Sequence, residues 1–332
     1  MNLCENPEIG VIGYGSWATA LVSVITANGH HVNWYIRNRE VLESVEKENI
    51  NSKYLSDLEL DGSRISASDD INEVVSGSGL LLMAMPSAYI KDFLSGLTTD
   101  LSGKFIVSAV KGIVPDEKST VTQYLHKAYG VPYSNLGVVS GPSHAEEVSN
   151  GRLTYITAAC GDIEDAKVIG GIMGNSKLKF SYSDDVQSIE YAAVMKNIYA
   201  IAAGMASGLG YGDNFLSVLV SACAVEMASF LATVSLSGKY DYCRNSLGDL
   251  LVTCYSTYSR NRRLGLLIGR GCTVKSALNE MTMIAEGYFA ADGLHSIISG
   301  SNLDMPIAGM VYDVLYNKAN ARKSMRSLAQ LL

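Results

Sequence analysis

Lys196 stands in the middle of Ile189-Glu190-Tyr191-Ala192-Ala193-Val194-Met195-Lys196-Asn197-Ile198-Tyr199-Ala200-Ile201, a run with the spacing of a helix. Ala192, Ala193 and Ala200 fall one turn to either side, so its near neighbours are small and dry. Desolvation disfavours the ammonium form and makes such a lysine a usable proton donor or acceptor. Taken alone, a lysine in a helix more often belongs to a solvated face, so the chemistry needs partners. Two follow downstream. Asp249 lies in Ser246-Leu247-Gly248-Asp249-Leu250, and Ser259-Arg260-Asn261-Arg262-Arg263 sets a guanidinium fork beside an amide, a pairing that suits an oxyanion such as phosphate.

A third group lies near the N-terminus. Ile9-Gly10-Val11-Ile12 reads as an apolar strand running into Gly13-x-Gly15-x-x-Ala18, which opens a helix that closes near Gly29. This is the dinucleotide fingerprint with alanine in the third position. Gly13 permits the tight turn, Gly15 lets the backbone approach a pyrophosphate at the helix N-terminus, and Ala18 allows close helix–strand packing. A site that selects NAD places Asp or Glu about 20 residues beyond the glycines, on the ribose 2′-hydroxyl. Here the second strand ends in Ile36-Arg37-Asn38-Arg39, and the first acid is Glu40. Arginines there suit a 2′-phosphate, so NADPH is the expected cofactor and NADH the alternative.

The elements that position these groups change character along the chain. The first part alternates short apolar strands with helical stretches: His31–Ile36, Leu80–Met85 stopped by Pro86, Lys104–Val110 and Leu136–Val139, with further strands near Leu153–Ala158 and Leu178–Tyr182. That is the pattern of βαβ units and a parallel sheet. From Ser188 onward long Ala-, Leu-, Met- and Ser-rich helical runs dominate. The expected class is α/β: an N-terminal Rossmann-like doubly wound sheet over residues 1–186, then an all-helical domain over 187–332. Gly15, Pro86, Lys111 and Gly141 all follow strand ends, where ligands of such sheets sit.

Composition narrows the partners. A formal charge of −7 spread over 332 residues argues against phosphate-backbone binding, so no nucleic-acid partner is expected. The six cysteines form no C-x-x-C pair, and reduced thiols in a cytoplasmic protein are expected. Phe215–Leu236 has Glu226 as its only charge, but its serines and mid-run acid point to a core or interface helix rather than stable membrane insertion. The same helix leads to the expectation of a homodimer. His30, His31, His126, His144 and His295 are scattered, and no metal site is expected.

Taken together, the motifs resemble one family closely, the NAD(P)-dependent glycerol-3-phosphate dehydrogenases of bacterial type. The resemblance is carried by Gly13-x-Gly15-Ser16-Trp17-Ala18, Val110-Lys111-Gly112-Ile113 and Ser140-Gly141-Pro142-Ser143-His144-Ala145-Glu146-Glu147. Val194-Met195-Lys196-Asn197, Gly248-Asp249-Leu250, Ser259-Arg260-Asn261-Arg262 and Ile284-Ala285-Glu286-Gly287 continue it in order across almost the whole chain. Ala18 departs from the third glycine common in the family. The second-strand end, Trp34-Tyr35-Ile36-Arg37-Asn38, departs by one inserted residue from the commoner Trp-Gly-Arg-Asp.

The resemblance implies roles. Lys196 would be the general acid/base at the substrate C2 oxygen, Asp249 would orient it, and Lys111 would reach both substrate and cofactor. Ser16, Trp17 and Arg37 would contact the dinucleotide, with Ala145, Arg260, Ile284 and Glu286 completing its site. Gly141, Ser143, Ser259, Arg260 and Asn261 would bind substrate oxygens, Arg260 gripping the phosphate. The implied reaction is reversible reduction of dihydroxyacetone phosphate to sn-glycerol 3-phosphate, a phospholipid precursor. Two rivals are another dehydrogenase with a helical second domain, such as a 6-phosphogluconate or 3-hydroxyacid dehydrogenase, and a non-catalytic dinucleotide sensor. The Arg260-Asn261-Arg262 run argues against the first, and the presence of Lys111, Lys196 and Asp249 against the second.

Overall fold

The computed structural model describes residues 3–4, 6–235, 244–281, 283–300 and 303–332. The chain forms two compact units, Met1–Val110 with Val121–Val186, and Lys111–Thr120 with Gln187–Leu332. The segment Lys111–Thr120 belongs to the second unit.

The first unit is built on one sheet of eight strands: β1 (Ile9–Ile12), β2 (Val32–Tyr35), β3 (Ile65–Ser68), β4 (Leu80–Met83), β5 (Phe105–Ser108), β6 (Leu136–Ser140), β7 (Thr154–Cys160) and β8 (Leu178–Ser183). Their order is β3-β2-β1-β4-β5-β6-β7-β8, so the chain reverses direction across the sheet between β1 and β4. Ile9 pairs with Val32 on one side and Leu80 on the other, both in parallel register. Every residue of β1, β4 and β5 is buried, the signature of strands covered on both faces. Helices α1 (Ser16–Ala27), α2 (Arg39–Glu48), α3 (Ile71–Ser76), α4 (Ile90–Leu94), α5 (Val121–Tyr129), α6 (Ala145–Ser149) and α7 (Ile163–Met173) complete the unit. Asn38, Asp70 and Asp162 cap α2, α3 and α7 by accepting a first-turn N–H, which fixes where each helix starts.

The sheet is mixed, not wholly parallel. β7 runs antiparallel to β6, with Ser140 opposite Thr157. Between them stands only α6, of five residues, and the chain turns back at the same end of the sheet instead of crossing over.

The second unit is helical: α8 (Val186–Leu209), α9 (Asp213–Val234), α10 (Arg244–Tyr255), α11 (Arg260–Gly269), α12 (Val274–Glu280), α13 (Glu286–Ile298), α14 (Pro306–Tyr316) and α15 (Ala321–Leu328). α8 is its axis, buried without interruption from Ser188 to Ala206. It meets α11 backbone to backbone: a Cβ on Gly204 would lie 2.0 Å from the Arg262 carbonyl oxygen, and one on Gly265 2.1 Å from that of Ile201. Only glycine fits such a crossing, and it locks the start of α11 beside the lysine turn of α8.

α9 is long and apolar enough to cross a membrane by length and composition. It is one-sided. Leu219, Cys223, Met227 and Phe230 enter the helical core, while Val218 and Val225 face outward. Glu226 is buried on the inner side, where its carboxylate accepts the Ile307 and Ala308 N–H groups at 2.8 and 2.9 Å and so caps α14. Burial pushes its carboxyl up from the ordinary range, opposed by those N–H donors.

The segment Lys111–Thr120 is a strap on this helical unit. A bridge between Val114 and Ser119 closes it, Ile113 packs against Gly293, and Lys118 reaches Asp292 at 3.3 Å and Ser296 at 2.9 Å.

Candidate active site

In the first unit β1 delivers the chain into the glycine turn. Gly13 has φ +122°, and a Cβ there would lie 2.3 Å from the Ala84 carbonyl oxygen, so no other residue fits. Gly15 is the N-cap of α1, and the space beyond its missing side chain is open. A glycine cap leaves first-turn amides without a side-chain acceptor at the end of a 12-residue helix, the arrangement that takes a pyrophosphate. Ser16 and Trp17 open the helix, and Ala18 is fully buried in the core beneath it.

The two arginines after β2 are set apart. The Arg37 guanidinium lies 4.4 Å over the Phe93 ring, whose neighbours Tyr14 and Tyr35 stand 5.8 and 6.1 Å away. Arg39 is on α2, 3.6 Å from Glu43. Through Phe93 and Tyr14, Arg37 shares the glycine turn's own surroundings, and Arg39 does not. After β6, the Ser143 hydroxyl donates to the Gly141 carbonyl at 2.9 Å, and Ala145 begins α6, packed with Ala20 and Val148 against Trp17.

The second unit gathers Lys111, Lys196 and Asp249. Lys196 projects from α8 and donates to Asp249 Oδ1 at 2.7 Å and to the Thr253 hydroxyl at 3.1 Å. Thr253 in turn donates to the Asp249 carbonyl at 2.6 Å, so its oxygen is turned to accept from the lysine. Two of the three ammonium hydrogens are thus committed, and among the described residues the third has no acceptor. Asp249 Oδ2 is buried without a hydrogen bond, 3.6 Å from Nζ of Lys111. Burial pushes the Lys111 ammonium down to about 8, with the Lys196 charge adding to the effect and Asp249 opposing it. Cys254 adjoins the group, but burial holds its thiol up at about 12, which removes it as a nucleophile.

A chain of amides frames this cluster. Asn197 donates to the Lys111 carbonyl at 2.7 Å, Asn261 donates to Asn197 Oδ1 at 2.8 Å, and the Gly287 N–H donates to Asn261 Oδ1 at 2.8 Å. The ends fix both orientations, because Lys111 offers only a carbonyl and Gly287 only an N–H. Asn261, expected from the resemblance to bind substrate oxygens, therefore spends its oxygen and one N–H inside the fold. Ser259 likewise uses its oxygen to accept the Arg262 N–H as N-cap of α11. Arg260, at the first position of that helix, is exposed and has no ion-pair or hydrogen-bond partner among the described residues. Ile284 precedes α13, and Glu286 is its first residue.

Residues 8–166 match the NAD-dependent glycerol-3-phosphate dehydrogenase N-terminus, and residues 185–326 match the C-terminus of the same family. The chain belongs to that family. Among glycerol-3-phosphate dehydrogenases (NAD(P)+), it is 33% identical over 323 residues to that of Staphylococcus carnosus, covering 97% of both chains. It is 34% identical over 325 residues to that of Staphylococcus epidermidis, covering 97% of this chain and 98% of that one. The crystal structure of glycerol-3-phosphate dehydrogenase from Coxiella burnetii superposes with TM-score 0.86 and 25% identity, over 98% of this chain and 99% of that one. Thr253 is a contact of Lys196 that sequence reasoning did not single out, and Asn197, which holds the Lys111 carbonyl, entered there only as part of the Lys196-Asn197 motif, without a role. Thr253 lies four residues beyond Asp249 on one helix face, a spacing that points to it.

Proposed function

We propose that this chain reversibly reduces dihydroxyacetone phosphate to sn-glycerol 3-phosphate with NADPH or NADH, supplying the backbone of glycerophospholipids. The observation that carries this reading is the buried Lys196 ammonium, held by Asp249 and Thr253 with one N–H left over. A dinucleotide fits the first unit on two observations, the open ground beyond Gly15 and the side-chain-free cap of α1. Ser16, Trp17, Arg37 and Ala145 would hold it there, and Lys111, Arg260, Ile284 and Glu286 are further candidates that the resemblance implies. When bound, it supplies the hydride.

The rest falls to the chain's own residues. The remaining N–H of Lys196 is aimed at the C2 oxygen, stabilises the charge that develops there and then transfers a proton to it. Asp249 holds the Lys196 side chain in place, and its Oδ2, which faces Lys111 and takes no hydrogen bond within the fold, accepts from a bound hydroxyl. Lys111 adds a second positive charge. Arg260, exposed and uncommitted, grips the phosphate in bidentate fashion. The resemblance adds Gly141 and Ser143 as candidates for substrate oxygens.

Arg37 resting on Phe93 favours NADPH over NADH, since a guanidinium held flat by a ring presents its fork to a 2′-phosphate. The outward Val218 and Val225 of α9, with Leu251 and Tyr255 of α10, support a homodimer. The inner face of α9 lies in the helical core, which supports a soluble protein, and the five described cysteines are free thiols, as in the cytoplasm.

The decisive assay follows oxidation of NADPH and NADH with dihydroxyacetone phosphate against a panel of other phosphorylated ketones. Turnover confined to dihydroxyacetone phosphate, faster per KM with NADPH, is the expected result. Absence of turnover with that substrate refutes the assignment, and equal or better kcat/KM with NADH refutes the cofactor preference.

A further inference from the structure

The three carbonyl oxygens of the glycine turn are each held by a different side chain. The Trp34 indole N–H donates to the Gly13 carbonyl at 2.6 Å, Asn51 Nδ2 to the Tyr14 carbonyl at 2.9 Å, and the Thr19 hydroxyl to the Gly15 carbonyl at 3.0 Å. Asn51 joins these contacts. It is 0% exposed, although it belongs to the segment that follows α2. Its nitrogen also donates to Thr19 Oγ1 at 2.8 Å, and its oxygen accepts the N–H groups of Lys53 and Tyr54 at 3.2 and 3.1 Å. A buried amide with every one of these positions filled can sit in only one way.

A trans peptide is planar, and its C=O and N–H point in opposite directions. Holding the carbonyls of Gly13, Tyr14 and Gly15 therefore sets the N–H groups of Tyr14, Gly15 and Ser16 the other way. It also keeps three negative dipole ends turned from any anion at the start of α1, where the helix contributes partial positive charge. We propose that Asn51, acting through Tyr14 and Thr19 and seconded by Trp34, is a positioning residue for the pyrophosphate of the dinucleotide. The inference rests on the reading that the glycine turn binds a dinucleotide. It adds a residue 36 positions beyond Gly15 that touches no part of the ligand.

The test uses the full chain and two probes: NADPH, which has a pyrophosphate, and 2′-AMP, which lacks one. Binding of NADPH is followed by its fluorescence and that of 2′-AMP by calorimetry, in wild type, Asn51→Ala and Trp34→Phe. Losing a hydrogen bond that orients groups toward a charged ligand is expected to weaken NADPH about tenfold or more. The 2′-AMP affinity should stay within about twofold, and KM for NADPH should rise with kcat and the ketone KM unchanged. NADPH affinity within about twofold of wild type in the folded variants overturns the proposal. So does equal weakening of both probes, the mark of a loosened unit. Should Asn51→Ala fail to fold, Thr19→Val and Trp34→Phe carry the same comparison. A wild type that does not bind NADPH refutes the dinucleotide reading itself, and the proposal with it.

Discussion

Lys196 and Asp249 meet at 2.7 Å with 7% and 4% of their side chains exposed. Water that would weaken the attraction is largely excluded, so the ammonium is held firmly and the carboxylate is not free to rotate. The second carboxylate oxygen faces Lys111 at 3.6 Å, which places one negative charge between two positive ones. The cluster keeps a positive balance within a chain of net charge −7, and that local sign suits an anionic, phosphorylated substrate.

Lys196→Ala is expected to lower kcat by at least about 100-fold, the lower bound for a placed general acid. The fold should survive, because Asp249 retains Lys111 as a charged neighbour. Asp249→Ala should behave differently, leaving two ammoniums facing each other, and it should cost on the order of 3–5 kcal/mol in denaturant unfolding. A kcat near wild type in Lys196→Ala would remove that lysine from the mechanism.

Lys111 gives the reaction a basic limb. With its ammonium down at about 8, kcat/KM for dihydroxyacetone phosphate should fall as pH rises past that value, since the free enzyme then loses a charge that binds substrate. Lys111→Met should abolish this limb along with much of the activity. The stability sign follows from burial. Between about 8 and the ordinary lysine value of 10.5 the unfolded chain holds a proton that the folded chain has shed, so this group's contribution to stability rises with pH across that window. Below it the cost of the buried charge is felt in full. Denaturant midpoints across that window should therefore climb less in Lys111→Met than in wild type.

Arg260→Ala should raise KM for dihydroxyacetone phosphate about 10- to 100-fold, the worth of a charge-assisted hydrogen bond of ~1.5–3 kcal/mol, with little change in kcat. The guanidinium holds the phosphate equally before and during the reaction, so its loss weakens binding rather than the chemical step. Steady-state kinetics separates the two, and a lowered kcat at unchanged KM would contradict the assignment.

The sequence announces those groups whose neighbours are local. Gly13 and Gly15 declare a turn because a strand precedes them and a helix follows, and Lys196 declares itself by the alanines one turn away. Other features depend on docking. The strap from Lys111 to Thr120 comes directly after the β5 segment in the sequence, yet Ile113 on Gly293 and Lys118 on Asp292 assign it to the helical unit. β3 is an edge strand whose only strongly β-forming residue is Ile65, so Ser66-Ala67-Ser68 shows little alternation to read. Glu226 stands out as a lone acid in an apolar helix, but the α14 amides it caps lie 81 and 82 residues away. Asn261 is the sharpest case. Beside Arg260 it resembles a phosphate ligand, and only the fold shows its amide joined to Asn197, 64 residues earlier.

That pairing makes the last prediction. If Asn197 and Asn261 act as one relay between the Lys111 carbonyl and the Gly287 N–H, breaking either link releases the strap, and breaking the second adds little. Asn197→Ala and Asn261→Ala should each lower kcat/KM by about tenfold, the cost of a buried amide contact of roughly 1–1.5 kcal/mol. The double variant should fall by a similar factor rather than a hundredfold, a coupling inside the ~0.5–3 kcal/mol seen for residues in contact. Asn261→Asp separates the two ends of the relay, since its oxygen can still accept from Gly287 while the donor to Asn197 is gone. It should therefore match Asn197→Ala. Additive losses in the double variant would mean that the two amides act separately, and Asn261 would then return to the phosphate as a direct ligand through its remaining N–H.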